Sequence, residues 1–277
     1  MIKNTHETIL LNKINNTNDD NLKSCYKKFL EFKEKTLKLN IINKQDVKKL
    51  VEYFNHYRNE CAYIYEKRKN SGQELIRSSM LEGFFQLLFK DIVKKFIKNE
   101  TMIIGKAKTI VGFNFSPFSF ENAFQNINFN LLEKDQDFVI GIKIRLKLKE
   151  YDKDYTSIIL PFVIIECKTY IEKNMLETHI NSASSVKKII PDCLYFVAAE
   201  YMKMKSGEPH LSKLDDVYIF CQEINSIREN KMKNNHKIKE INYELISNLF
   251  LRVKDHLEKK WWDNKEFINI GRILKSS

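Results

Sequence analysis

A mixed α/β fold is expected for this chain: a central mixed β-sheet of about four to five strands flanked by helices, with a helical N-terminal region and a helical C-terminal tail. Three observations predict it. Apolar residues recur with helical spacing through the first 100 residues, switch to alternation from about residue 105, and return to helical spacing near the C-terminus. The length of 277 residues and a hydrophobic content of 43% are enough to bury a sizeable core.

The N-terminal helices come first. From Gln45 to Lys67, Val47, Leu50, Val51, Phe54, Tyr57, Cys61, Ile64 and Tyr65 fall on one face, a core stripe rather than an aromatic binding box. A second helix, from about Gln73 to Asn99, carries Leu81, Phe85, Leu88, Phe89, Ile92, Val93 and Phe96, with Glu82 at the N-terminal end of the same face. Ile140, Ile142, Ile144, Leu146 and Leu148 then alternate with Gly141, Lys143, Arg145, Lys147 and Lys149, the pattern of a half-buried strand. Ile158 to Glu166 reads as a more central strand, in which Pro161 demands an edge or a bulge. A helix from about Asn174 to Ile190, β-rich runs at Cys193–Ala199 and Val217–Cys221, and a helical tail including Tyr243–Lys259 complete the pattern. With 7 Gly and 4 Pro, no flexible linker stands out. We divide the chain into a helical N-terminal region (1–75) suited to DNA binding or dimerisation, an α/β core (76–224) and a basic helical tail (225–277).

Charge is uneven along this order. Residues 1–100 carry 20 basic and 13 acidic side chains, residues 101–224 carry 15 and 16, and residues 225–277 carry 12 and 7. The formal net charge of +11 favours a polyanionic partner, held by the basic flanks, while the nearly neutral middle frees its carboxylates for another task. Cys25, Cys61, Cys167, Cys193 and Cys221 form no CxxC pair and have no His at zinc-ligand spacing, which argues against a zinc site or a disulfide framework and for a reducing compartment. The N-terminus has only a short apolar run and no stretch is long enough to span a bilayer, so a soluble cytoplasmic protein is expected.

The informative constellation is Asp137, at the head of one strand, and Glu166-Cys167-Lys168, at the end of the next. Glu166 and Lys168, two positions apart on a strand, project from one face with roughly 6.5 to 7 Å between them, while Cys167 points to the opposite, buried face. Asp137 shares its parity with Lys143, Arg145 and Lys147. Acids at core strand ends are costly unless paired or bound to a metal, and Mg²⁺ takes such carboxylates while keeping waters and accepting phosphate oxygens. Asp135 has the same parity and is a rival ligand; Asp137 is preferred because the alternating strand begins directly after it.

Lys134-Asp135-Gln136-Asp137-Phe138, Ile164-Ile165-Glu166-Cys167-Lys168-Thr169-Tyr170 and Lys173-Asn174-Met175-Leu176-Glu177 together resemble the PD-(D/E)xK nuclease superfamily, and within it type II restriction endonucleases of the Bpu-ten-I and BbvCI kind, over about residues 80 to 200. The resemblance implies a restriction-endonuclease-like core. It implies that Asp137 and Glu166 bind Mg²⁺, that the Cys167 carbonyl completes the site, that Lys168 assists the attacking water and that Glu82 is an additional metal ligand. It further implies hydrolysis of double-stranded DNA in a restriction-modification system, with a homodimer or a related partner subunit and a companion DNA methyltransferase. A repair or junction nuclease on the same fold, and a non-catalytic basic DNA-binding subunit, are the alternatives.

Other candidates have simpler readings. Glu177, three residues after Asn174, fits a capping box with Asn174 as the N-cap. His179 and His210 are single histidines without a nucleophile, and nothing suggests covalent catalysis. Trp261-Trp262, beside Lys259-Lys260, reads as an anchor of the tail or a base-stacking pair.

Overall fold

The computed structural model describes residues 4–66, 75–96, 101–115, 119, 129–148, 153–204, 212–234 and 236–259. His210 and Trp261-Trp262 therefore lie outside the described residues. Four helices lead: α1 (Thr5–Thr17), α2 (Asp20–Leu37), α3 (Lys44–Glu66) and α4 (Leu75–Lys94). Asn4 and Asp19 cap the first two, Asn4 accepting the Glu7 main-chain N–H and Asp19 those of Asn21 and Leu22. Strands β1 (Met102–Phe115), β2 (Phe129–Leu148) and β3 (Lys153–Ile171) follow, then α5 (Lys173–Ile189), β4 (Leu194–Met202), β5 (Asp216–Ile219), α6 (Asn225–Lys233) and α7 (Tyr243–Glu258).

The five strands stand in chain order in one mixed sheet: β1, β2 and β3 are antiparallel, while β4 and β5 join parallel to β3 and β4. Helix α5 makes the crossover that a parallel β3–β4 pair requires. Alternation sorts the side chains of β2 and β3 between two layers. Phe138, Ile140, Val163 and Ile165 join a core that runs continuously through α1–α4 and α7. Val139 and Ile164 pack on the other face, with Ala183 and Val186 of α5. Helix α4 is buried nearly all round because α1–α3 and α7 cover one side of it and the sheet the other. All five cysteines are unpaired and buried. No helix among the described residues is long and apolar enough to cross a membrane.

The structure moves two strand boundaries in ways that matter for the site. Asp137 is not at the head of its strand, since β2 begins at Phe129, and Glu166-Cys167-Lys168 is not at a strand end, since β3 continues to Ile171. What ends between them is their mutual pairing. At Pro161 the expected bulge is present: Ile140 pairs with Val163 and Gly141 with Pro161, leaving Phe162 as the extra residue. The start of α5 also differs from expectation. Its N-cap is Glu172, without a side-chain cap bond, so Asn174 is not the cap; Glu177 is exposed and faces Lys173 one turn away at 3.9 Å.

Candidate active site

The site lies where the sheet forks. The β2–β3 ladder runs to Phe138↔Ile165 and stops; before Phe138, β2 pairs only with β1, and beyond Ile165, β3 pairs only with β4. Divergence leaves the main-chain N–H of Cys167 without its neighbouring strand. The Asp137 carboxylate takes that place, accepting the N–H at 3.0 Å through Oδ2. The same oxygen accepts from Lys168 Nζ at 2.5 Å, and Nζ also reaches Glu166 Oε2 at 3.3 Å. The three side chains expected to converge from 137, 166 and 168 thus meet around one ammonium group. Cys167 places its thiol in the opposite layer, as strand parity requires.

Asp135 does not join them. Gly105 pairs with Val139 and Ala107 with Gln136, so Lys106 alone stands opposite both Asp137 and Phe138, and β2 carries a bulge at the site. Upstream of it the alternation is shifted. Lys134 reaches Ser182 of α5 and Gln136 is reached by Tyr195, so both point into the α5 layer and Asp135 is turned away, exposed. Equal parity between 135 and 137 holds only for a regular strand. Gly105 admits the irregularity: its φ is +128°, and a Cβ there would lie 2.3 Å from Gln86 Nε2.

Glu82 approaches from α4 and is 4% exposed, and its Oε2 has no hydrogen-bond partner. Burial, and then the nearby Asp137 charge, raise its carboxyl to about 7; the same two causes raise Glu166 to about 7. Asp137 goes the other way. Burial would raise it, but the Lys168 charge and the hydrogen bonds from Lys168 and Cys167 outweigh burial and hold it below its ordinary value. Lys168 is shifted up, since Asp137 and Glu166 more than offset its desolvation, so it remains an ammonium.

These shifts predict a pH-dependent stability. Glu82 takes up a proton on folding between its ordinary 4.5 and about 7, so its contribution is intact below the lower value and is lost as pH rises through the upper one. His6 and His179 are lowered by burial, to about 3 and about 4, and act in the opposite sense, so a single melting curve mixes both effects. Comparison with Glu82→Gln isolates the acid. The variant should match the parent near pH 5 and exceed it by up to about 3 kcal/mol near pH 8 in metal-free buffer, read from denaturant unfolding. An equal difference at both values would count against a clustered, ionisable Glu82.

Two further residues touch this group, in roles not legible in the sequence, and one of them is itself held by Gln136. Tyr195 of β4 places its hydroxyl 3.3 Å from Glu166 Oε1 and 3.1 Å from Gln136 Oε1, and Gln136 in turn donates from Nε2 to Thr109 at 3.2 Å. His179 of α5 brings Nδ1 to 3.6 Å from Glu166 Oε2. His179 had a legible signal: it falls in the stripe Leu176, His179, Ala183, Val186, the buried face of the helix that follows the Glu-x-Lys strand.

The donor set suits a hard cation in kind: two carboxylates joined by a cation, the main-chain carbonyl of Cys167 next to Glu166 in the chain, and an unpartnered carboxylate oxygen on Glu82. Among the described residues, no three His, Cys, Asp or Glu side chains are grouped so as to hold a metal by themselves.

Comparison with known proteins gives this geometry a family. No curated protein sequence matches the chain. A solved structure described as the native BbvCI A2B2 tetramer is similar in fold, with a TM-score of 0.61 and 16% identity, over 92% of this chain and 98% of that one. The family model of the Bpu10I restriction endonuclease matches residues 74–272, from just before α4 to beyond α7 and across the whole sheet. The mixed sheet with helices on both faces is thus a restriction-endonuclease-like fold, and the chain belongs to the Bpu10I restriction endonuclease family.

Proposed function

We propose that the chain is a Mg²⁺-dependent type II site-specific deoxyribonuclease that hydrolyses phosphodiester bonds of double-stranded DNA in a restriction-modification system. The observation that carries this reading is the meeting of Asp137, Glu166 and Lys168 at the β2–β3 fork, with Glu82 close enough for their charges to act on it. Asp137, Glu166, the Cys167 carbonyl and Glu82 would hold the ion. Once bound, Mg²⁺ supplies charge neutralisation at the scissile phosphate and Lewis acidity toward water. Lys168, kept cationic by its two acidic neighbours, is suited to orienting the attacking water and stabilising negative charge in the transition state rather than to removing a proton. In-line attack forms the new P–O bond as the bond to the 3′ oxygen breaks; that oxygen leaves with a proton, and the product carries a 5′-phosphate. Exposed Lys106 and Lys108 on β1, opposite Asp137 and Asp135, would provide cationic groups for the DNA backbone beside the site, and exposed Lys143 and Arg145 lie farther along β2.

One site cuts one strand. Double-strand cleavage accordingly requires a second subunit, either a copy of this chain or a related partner; the similar BbvCI structure is described as an A2B2 tetramer. A companion DNA methyltransferase would protect the host sites. Digestion of a sequenced plasmid tests the proposal. Mg²⁺ should produce discrete 5′-phosphate ends and EDTA none; linear products would indicate a homodimer, nicked circles the need for a partner. Cutting that persists in Asp137→Ala or Glu166→Ala would defeat the assignment. Retarded DNA without products in Mg²⁺ or Mn²⁺ would instead identify a DNA-binding subunit, and preference for branched over duplex DNA a repair nuclease.

A further inference from the structure

Resting on that reading, we propose that Tyr195 and His179 are positioning residues that fix the Glu166 carboxylate for divalent-cation binding. A glutamate has three side-chain torsions, and a metal ligand free to sample them binds weakly, which is why groups behind ligands commonly set metal affinity. Glu166 is backed on both oxygens. Tyr195 serves Oε1, and its place is set by the sheet: β4 pairs Tyr195 with Ile164, two positions before Glu166 on the same face of β3. Its hydroxyl has one proton and two acceptors. Thr109 orients the Gln136 amide so that its oxygen faces the hydroxyl, leaving Tyr195 poised between Gln136 and Glu166. A carboxylate committed to a cation is charged, and a charged acceptor draws the tyrosine proton more strongly than an amide does.

His179 completes the support from the other side. Its ring is only 6% exposed, on a stripe where leucine would satisfy packing alone, yet Nδ1 makes no hydrogen bond and is aimed at Glu166 Oε2 from 3.6 Å. A buried nitrogen left unpaired beside a carboxylate is costly as packing and useful as a donor waiting for a fixed acceptor.

Mn²⁺ affinity of the full chain without DNA, by titration calorimetry, tests this directly, with the Mg²⁺ concentration for half-maximal plasmid cleavage as a second readout. Tyr195→Phe and His179→Leu should each weaken Mn²⁺ binding by about 10- to 100-fold and raise the Mg²⁺ requirement in step, with the rate at saturating Mg²⁺ largely retained. His179→Asn, whose amide nitrogen can stand where Nδ1 stands, should stay within about 3-fold of the parent. Unchanged Mn²⁺ affinity in folded Tyr195→Phe and His179→Leu would overturn the positioning role. Should His179→Leu fail to fold, the nearly isosteric Tyr195→Phe decides alone. Asp137→Ala separates the two levels: if it binds Mn²⁺ as the parent does, the cation-site reading itself fails, whatever the other variants do.

Discussion

Lys168→Ala should lower the single-turnover cleavage rate by about 10³-fold while leaving cation binding intact. The two effects separate because of what the ammonium does. It is the only cation in contact with both Asp137 and Glu166 among the described residues, and a quarter of its side chain is exposed. On the proposed reading, removing it deletes the charge that would act on the attacking water. It also removes a competitor for the carboxylates, so Mn²⁺ affinity should hold or rise. Asp137→Ala should do the reverse, losing cation binding and cleavage together. Calorimetry and rapid-quench cleavage of a plasmid at saturating Mg²⁺ measure both quantities. A Lys168→Ala enzyme that cuts within about 10-fold of the parent would deny the lysine a part in the chemistry, since removal of such a charge ordinarily costs far more.

How much of this was visible in the sequence depends on whether a residue's environment is made by its neighbours in the chain or by distant ones. The helical stripes of α3 and α4 and the alternation in β2 are local, and the elements formed where those patterns place them. Glu166 and Lys168 share a face for the same reason. The choice between Asp135 and Asp137 was different. It turns on a bulge created by the pairing of β2 with β1, where Lys106 opposes two residues, and the sequence of β2 contains no trace of it. Asp137 was preferred for a reason the structure does not sustain, the start of a strand that in fact begins at Phe129. The fork is equally non-local, for it arises where β3 exchanges β2 for β4 as its partner. Tyr195 is hidden in a run legible only as β-rich, and Gln136 in a motif legible only through its two acids; their hydroxyl and amide become site groups only when three strands are laid side by side.

The largest effect on stability should come from Glu200, which lies one residue beyond the β-rich run Cys193–Ala199 legible in the sequence. It is fully buried at the α4 face of β4, where its Oε2 accepts from Arg58 Nε of α3 at 2.7 Å and from Arg77 of α4 at 2.6 Å. Arg58 also donates to the Lys239 carbonyl at 2.7 Å and to the Tyr201 hydroxyl at 2.6 Å. One carboxylate therefore ties two N-terminal helices, the sheet and the segment before α7 into a single body. Burial would raise its carboxyl, but the two guanidinium charges outweigh burial and hold it below its ordinary value, so it is ionised throughout the neutral range. Glu200→Ala leaves two buried arginines without a counter-charge, and a loss of about 3 to 5 kcal/mol is expected. Glu200→Gln keeps an acceptor but not the charge, and should lose more than half as much. Replacing all three residues by apolar ones of similar volume should recover most of the loss, because the desolvation cost of the ions disappears with their attraction. Urea unfolding of the four proteins measures this. A Glu200→Ala variant within about 1 kcal/mol of the parent would mean that the arginines find water or other acceptors, and that apolar packing of α4 against the sheet, rather than the ion cluster, joins the N-terminal helices to the sheet.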